Sequence, residues 1–440
     1  MSPRPLTLAL VVVVAATALA TSLAKATNLR SPLTSLSTTS NVESTALYCA
    51  GLGASGSPTG RVDFLNTSAH VRTLGVRVDT NGALSKVREI KLGAHARTTM
   101  TPTGSGPWYG VIAVVDGGGV VADVVNQTGT ASAPCVDAGY TDWYASGLST
   151  TVGARAYVVL YNPTATAAVA NVTLNTPSGF SAPASFQGVS ISAHRVVALN
   201  LNAPAVNVAN IGVHVRVVRG SVVPTAIQES GTVTSFDPGS PSPAVVSWFP
   251  RVTTTDGAVA ELRVANPTAS TATVTATIRL APYHVAPETI SVAPFSTGVI
   301  TVTPNSAIPA HGYAVVRVQS NVAVVVGLVT GTTAGVGISA PNPPADVYLV
   351  SDFVGRGFDA VTATNTGTRP LSVAVTVLGS TSPARTLTIP ASSTVSVRTL
   401  VSAFRGRTVL IQSTRADLIV TATLPTRPAG VQLFDPLYGG

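Results

Sequence analysis

One short pattern recurs four times in this 440-residue chain, and it restricts the available folds more than any other feature. Around an asparagine the sequence reads Phe64-Leu65-Asn66-Thr67, Leu160-Tyr161-Asn162-Pro163-Thr164, Val264-Ala265-Asn266-Pro267-Thr268 and Ala363-Thr364-Asn365-Thr366-Gly367. Asn66, Asn162, Asn266 and Asn365 stand 96, 104 and 99 residues apart. A period near 100 residues is too long for a solenoid unit and suits an autonomous sandwich of about seven short strands.

The residues after each Asn support that reading. A short turn leads into a stretch of period two. Leu74, Val76 and Val78 flank Arg77. Ala170, Val172 and Leu174 flank Asn171 and Thr173. Val274, Ala276, Ile278 and Leu280 alternate with Thr275, Thr277 and Arg279, and Leu371, Val373, Val375 and Val377 repeat the pattern. Strict alternation marks a half-buried strand. About 30 residues beyond each Asn lies a small-residue turn: Gly93-Ala94-His95, Ser192-Ala193-His194, Ala293-Pro294-Phe295 and Pro390-Ala391-Ser392. A third block reads as a hairpin, as in Val111–Val115, Asp116-Gly117-Gly118-Gly119 and Val120–Val125. No internal stretch has helical periodicity. The expectation is an all-β protein of about four tandem immunoglobulin-like or fibronectin-III-like sandwiches, over residues 46–140, 141–238, 244–340 and 345–440. Asp237–Pro243 and Pro341–Pro344 read as semi-rigid spacers, so the modules should stand as a rod.

Residues 6–24 form an uncharged apolar run, expected as a single N-terminal helix. At about 1.5 Å per residue it spans about 29 Å, enough for a bilayer core. Small residues at Ala18, Ala20, Ser22 and Ala24 also fit a cleavage site, so residues 1–25 are a signal peptide or a signal anchor. Residues 26–45, rich in Ser and Thr, read as a stalk. Either way the remainder is exported, to be secreted or held outside the cell membrane. In that compartment Cys49 and Cys135 are expected to form a disulfide.

The arrangement resembles an exported actinobacterial family of unknown function, built from repeated β-sandwich modules and often encoded beside cell-envelope glycosyltransferases. The resemblance rests on the apolar segment, the stalk, the early Cys pair, the Leu-Tyr-Asn-Pro-Thr-type strands, and the aromatic starts Trp143-Tyr144 and Trp248-Phe249. It brings no catalytic residues. Tyr348 stands where a Trp is usual, and no Pro follows Asn365.

Known chemistries find little purchase. Lys plus Arg total 26 against 18 Asp plus Glu, a net +8, but the excess is spread thinly. Phosphate-tracking proteins concentrate cations on one face, so no nucleic-acid partner is expected. Gly51-Leu52-Gly53-Ala54-Ser55-Gly56 fits a dinucleotide fingerprint by letter, yet Ser57-Pro58 follows where a helix should open, so it reads as a loop. Ser22-Leu23-Ala24-Lys25 lies in the apolar segment without partner motifs. The six histidines lack metal-ligand spacing, and His95 and His194 read as turn residues because Phe295 and Ser392 replace them. Asp79-Thr80-Asn81-Gly82 opens like a calcium loop but lacks the closing Glu, and reads as a hairpin turn. No cofactor, metal or catalytic residue is expected. The reading is a non-catalytic cell-envelope scaffold or spacer whose partners are envelope proteins or wall polysaccharide. The alternative is a carbohydrate- or envelope-polymer-binding protein stacking sugars on Trp108, Trp143 and Trp248.

Overall fold

The computed structural model describes residues 44–53, 60–80, 85–103, 107–126, 132–280, 283–310, 312–332, 335–342, 344–351, 360–396, 407–423 and 435–436. The expected N-terminal helix and nearly all of the stalk lie outside them. Among the described residues, no helix is long and apolar enough to cross a membrane.

The described chain is all-β, and its strands fall into four successive units: the first, second and fourth each form two sheets, and in the third a single long strand joins both layers into one eight-stranded sheet. Unit 1 contains β1 (Ser44–Gly53), β2 (Gly60–Asn66), β3 (Arg72–Thr80), β4 (Arg88–Leu92), β5 (Arg97–Met100), β6 (Trp108–Asp116), β7 (Val120–Asn126) and β8 (Ser132–Pro134). One sheet runs β1-β6-β3-β4 and the other β5-β2-β7-β8, both antiparallel. Unit 2 repeats the plan with β9 (Asp142–Leu148), β10 (Ala154–Asn162), β11 (Ala168–Thr176), β12 (Gly179–Ser181), β13 (Val189–Ile191), β14 (Arg195–Asn200), β15 (Ile211–Arg219), β16 (Val223–Ser230) and β17 (Val233–Asp237). Its sheets run β12-β11-β15-β9 and β14-β10-β16-β17.

Unit 3 holds β18 (Ala244–Thr253), β19 (Val259–Ala265), β20 (Ala272–Leu280), β21 (Tyr283–His284), β22 (Glu288–Val292), β23 (Thr297–Thr301), β24 (Tyr313–Thr332) and β25 (Gly335–Ser339). Unit 4 holds β26 (Val347–Ser351), β27 (Ala360–Asn365), β28 (Leu371–Val377), β29 (Arg385–Ile389), β30 (Thr394–Ser396), β31 (Thr408–Ser413), β32 (Leu418–Thr423) and β33 (Asp435–Pro436).

The expected third-block hairpins are not hairpins. β6 pairs with β1 and β3, whereas β7 pairs with β2 and β8. The chain therefore crosses between sheets at Gly117–Gly119, where all three glycines take positive φ. In unit 3 no turn intervenes: the 20-residue β24 pairs with β18 and β20 along its first half and with β19 and β25 along its second. Immunoglobulin domains keep their last two strands in one sheet. This order departs from the immunoglobulin-like expectation at that step. Local pattern cannot distinguish the two, because each strand alternates identically whichever sheet it joins. β3 does pair with β4, as the hairpin reading required, while Asn81-Gly82 lies outside the described residues. Gly51–Gly53 belongs to β1 and is strand, not loop; Ala54-Ser55-Gly56 lies outside the described residues.

The recurring Asn acts as a latch. Asn162 is fully buried, and its Nδ2 faces the carbonyls of Thr166, Ile191 and Ser192 at 2.8, 2.9 and 3.1 Å. Two N–H bonds serve three acceptors, so one is shared. Its Oδ1 accepts from the N–H and hydroxyl of Thr164 at 3.0 and 2.7 Å. Asn66, Asn266 and Asn365 repeat the donor set. The latch ties the turn after each unit's second strand to the turn that precedes β5, β14, β23 or β30. At that second turn His95, His194, Phe295 and Ser392 all adopt φ of 52–54°, a left-handed conformation uncommon for such residues. Each donates its N–H to the facing turn, as His194 does to Thr164 at 3.2 Å.

The units do not form a rod. In β10, Ala156, Val158 and Leu160 fill the core of unit 2, while Tyr157, Val159 and Tyr161 on the opposite face join the core of unit 1. Val329 and Ile338 of unit 3 enter the core of unit 2 in the same way. Trp248 and Val315 of unit 3 meet Ile419 of unit 4. Leu65 and Val121 of unit 1 pack with Val347, Leu349, Leu378 and Leu410 of unit 4, which closes the circle. The sheet of β1 and β6 faces that of β10 and β16, and the sheet of β9 and β15 faces β19 with the second half of β24. The sheet of β18 with the first half of β24 faces that of β27 and β32, and the sheet of β26 and β31 faces that of β2 and β7. The intended spacers lie back on their own units: Ser240 bridges to Tyr144, and the Asn342 N–H donates to the Trp248 carbonyl at 2.9 Å. Backbone pairing along the first strand turns the joints into wall.

Candidate functional site

A connected cluster of ionisable side chains lies in the seam between units 1 and 2. Alternation along β3 turns Arg77 and Asp79 away from the core of unit 1, and the same rule turns Tyr161 of β10 toward them. Asp79 and Tyr161 are fully buried. Arg77 grips Asp79 with Nε on Oδ1 at 2.7 Å and a terminal nitrogen on Oδ2 at 3.1 Å. The Tyr161 hydroxyl donates to Oδ2 at 2.7 Å. The same terminal nitrogen of Arg77 donates to His194 Nδ1 at 2.7 Å. Arg has no lone pair to offer, so this contact places the imidazole proton on Nε2. Gly110 of β6 admits the Tyr161 ring, since a Cβ there would lie 2.5 Å from it.

This quartet could be mistaken for catalytic machinery, but its chemistry is that of a clamp. Burial, reinforced by the Asp79 charge, pushes the Tyr161 phenol far above its ordinary range. The hydrogen bond to Asp79 raises the Arg77 guanidinium further. Neither group can act as a base or nucleophile near neutral pH. Both Asp79 oxygens accept hydrogen bonds within the clamp. Among the described residues, no group of three or more His, Cys, Asp and Glu is arranged to hold a metal.

A second unusual group is Asp237 at the end of β17. Burial raises its carboxyl to about 7, against the opposing pull of the Gly239 N–H, which donates to Oδ1 at 2.7 Å. Beside it Trp143 donates Nε1 to the Pro238 carbonyl at 2.7 Å. Gly239 is at φ +64°, and a Cβ there would strike the indole at 2.3 Å.

Trp108, Trp143 and Trp248 are exposed by only 9%, 0% and 7%. Trp108 packs against Tyr157 across the first seam with centroids 5.1 Å apart. None of the three presents a ring face to solvent, so the sugar-stacking expectation fails at these residues. Trp108 and Trp248 lie on outward sheet faces covered by the next unit, whereas Trp143 is buried in the core of its own unit. Cys49 and Cys135 are joined by a disulfide. Sequence reasoning missed the Arg77–Asp79–Tyr161–His194 clamp, though the unbroken apolar run Ala156–Tyr161 signalled a strand buried on both faces.

A family of unknown function, DUF5719, matches residues 117–239, a stretch that takes in β7, β8 and all of unit 2. No curated protein matches the chain. Among solved structures, the crystal structure of Thermotoga maritima 1070 is 17% identical with a TM-score of 0.21, over 22% of this chain and 93% of that one. A tetra-tandem repeat from the extending region of a large adhesion protein is 12% identical with a TM-score of 0.12, over 84% and 96% of the two chains.

Proposed function

We propose that this protein is a non-catalytic scaffold of the cell envelope, a ring of four sandwich units that holds envelope proteins or wall polymer. The observation that carries the reading is the fate of the ionisable groups. At the first seam Arg77, Asp79, Tyr161 and His194 are spent on one another, and at the second Arg263 is aimed at backbone carbonyls of unit 2. Groups saturated in this way hold surfaces together and leave no free base or nucleophile. The Cys49–Cys135 disulfide supports an oxidising compartment outside the cytoplasm. A closed ring offers a broad platform, which favours holding over spacing.

The test uses the full chain as bait against detergent-solubilised envelope fractions. The wild type should retain a defined set of membrane or wall partners. The seam variant Gly327→Val, folded within its units but opened between units 2 and 3, should lose them. Equal retention by both would contradict a role for the assembled ring.

A further inference from the structure

The seam between units 3 and 4 differs from the others in charge. On the outward face of unit 3, Trp248 of β18 lies beside Arg317 of β24, its direct cross-strand neighbour. Arg279 of β20 reaches the same indole, and both guanidinium carbons sit 5.8 Å from the ring centroid. Among the described residues neither arginine forms an ion pair with a carboxylate. Arg279 donates to the Ser392 carbonyl of unit 4 at 2.8 Å, and Arg317 to Gln319 Oε1 at 2.7 Å. Each guanidinium carries five N–H donors, and among the described residues most of them meet no carboxylate or carbonyl. Burial, with the nearby Arg317 charge, lowers Arg279 from its usual value, as expected for two cations held together without an anion.

The surroundings are hydroxyl-rich. Thr275 and Thr277 share this face of β20, and the Thr275 hydroxyl meets that of Thr289 at 2.9 Å in the open. Further along β24, Arg251 stacks on the exposed Tyr313 ring at 3.6 Å. From Arg317 to Tyr313 the strand covers about 14 Å at about 3.4 Å per residue. Val315, between Arg317 and Tyr313 on this face, is covered by Ile419 of unit 4. The open part of the face therefore runs from the half-buried arginines past Thr275, Thr289 and Gln319, a combination of cations and hydroxyls that suits a ligand with negative charges and many hydroxyls.

We propose that this face of unit 3, with Arg279 and Arg317 as the anion-binding pair, is a binding site for an acidic polysaccharide. The site does not depend on sugar stacking by exposed tryptophans, since Trp248 is buried beneath the arginines. It lies at the rim of the seam between units 3 and 4 and rests on the packing of those two units.

Trigalacturonate is the probe, titrated into the full-length chain with intrinsic tryptophan fluorescence as the readout, and maltotriose and a short oligothymidylate as comparators. Trigalacturonate should change the fluorescence saturably, and maltotriose should not. Arg279→Gln with Arg317→Gln should weaken binding at least tenfold, as should Arg317→Gln alone to a smaller extent. Arg88→Gln with Lys91→Gln, on exposed strand β4, should leave it unchanged. Thermal melts establish that each variant is folded. No saturable binding by the wild type would overturn the proposal. So would equal loss in the β4 variant, or oligothymidylate binding as tightly as the sugar acid, because either would mean unspecific attraction to a basic protein.

Discussion

At the scale of single residues, the four latch asparagines explain why a short pattern could recur while the sequence around it drifted. Five hydrogen bonds converge on one buried amide, and no other side chain offers two donors and an acceptor in that space. Asn162→Ala should cost about 3 kcal/mol or more, because the carbonyls of Thr166, Ile191 and Ser192 would lose their partner inside the protein. Chemical denaturation would measure this, and a change under about 0.5 kcal/mol would contradict the latch. Asp237 gives a pH prediction. Its folded value of about 7 lies above the ordinary 3.8, so folding favours its protonated form. The destabilisation is absent below about pH 4, grows as pH rises, and is complete above 7. Asp237→Asn should therefore match the wild type at pH 4 and exceed it at pH 8, by a few kcal/mol at about 1.4 kcal/mol per unit. Equal stability at both pH values would refute the assignment.

At the scale of elements, alternation identified strands and their inward residues well. Leu74 and Val76, Val172 and Leu174, Val274 and Ile278, and Leu371 and Val373 all lie in cores. The pairing of β6 and β7 was not legible, since sheet membership depends on partners far away in sequence. The turn residues at His95 and His194 were legible because Phe295 and Ser392 replaced them. Their contact with neighbouring units was not. Glycine placement carries the same lesson. A Cβ on Gly327 of β24 would lie 2.1 Å from the Ser146 carbonyl oxygen of unit 2, whereas a Cβ on Gly75 of β3 meets only Val87 at 3.5 Å. Gly327→Ala should lower the melting temperature and expose the second seam to protease, while Gly75→Ala should be tolerated. Equal tolerance of both would show that the sheets do not approach so closely. The disulfide belongs at this scale too. Units 2 and 3 fasten the segment after their last strand to their first strand by backbone contacts, unit 4 fastens its last strand β33 to β26, and unit 1 adds Cys49–Cys135 to its Tyr48–Val136 bridge. Closing a loop of that 86-residue separation is worth about 4–5 kcal/mol on chain entropy, so reduction should destabilise unit 1 first.

At the scale of the whole molecule, one geometry is used at four seams with four chemistries. The first is an ionic and phenolic clamp. The second relies on side chains bonded to backbone, such as Asn175 to the Asn266 carbonyl at 3.0 Å. The third is arginine and indole, and the fourth is aliphatic. Interfaces that differ in chemistry discriminate among partners, so each unit accepts only its proper neighbour. Circular closure was the feature least visible in the sequence. A residue buried by a neighbouring unit looks the same as one buried in its own core, and the proline-rich joints read equally well as spacers.

The closed ring is the central claim, and cross-linking across its last seam tests it most directly. A Cβ on Gly379 of unit 4 would sit 2.7 Å from the His95 ring of unit 1. A full-length His95→Cys, Gly379→Cys variant treated with a short bismaleimide should form an intrachain link in high yield. Arg77→Cys with His194→Cys, across the first seam, serves as the positive reference. A closed ring gives both links within single chains. A reference link without the His95–Gly379 link, or with that link formed only between chains, would mean that the units stand in an open row.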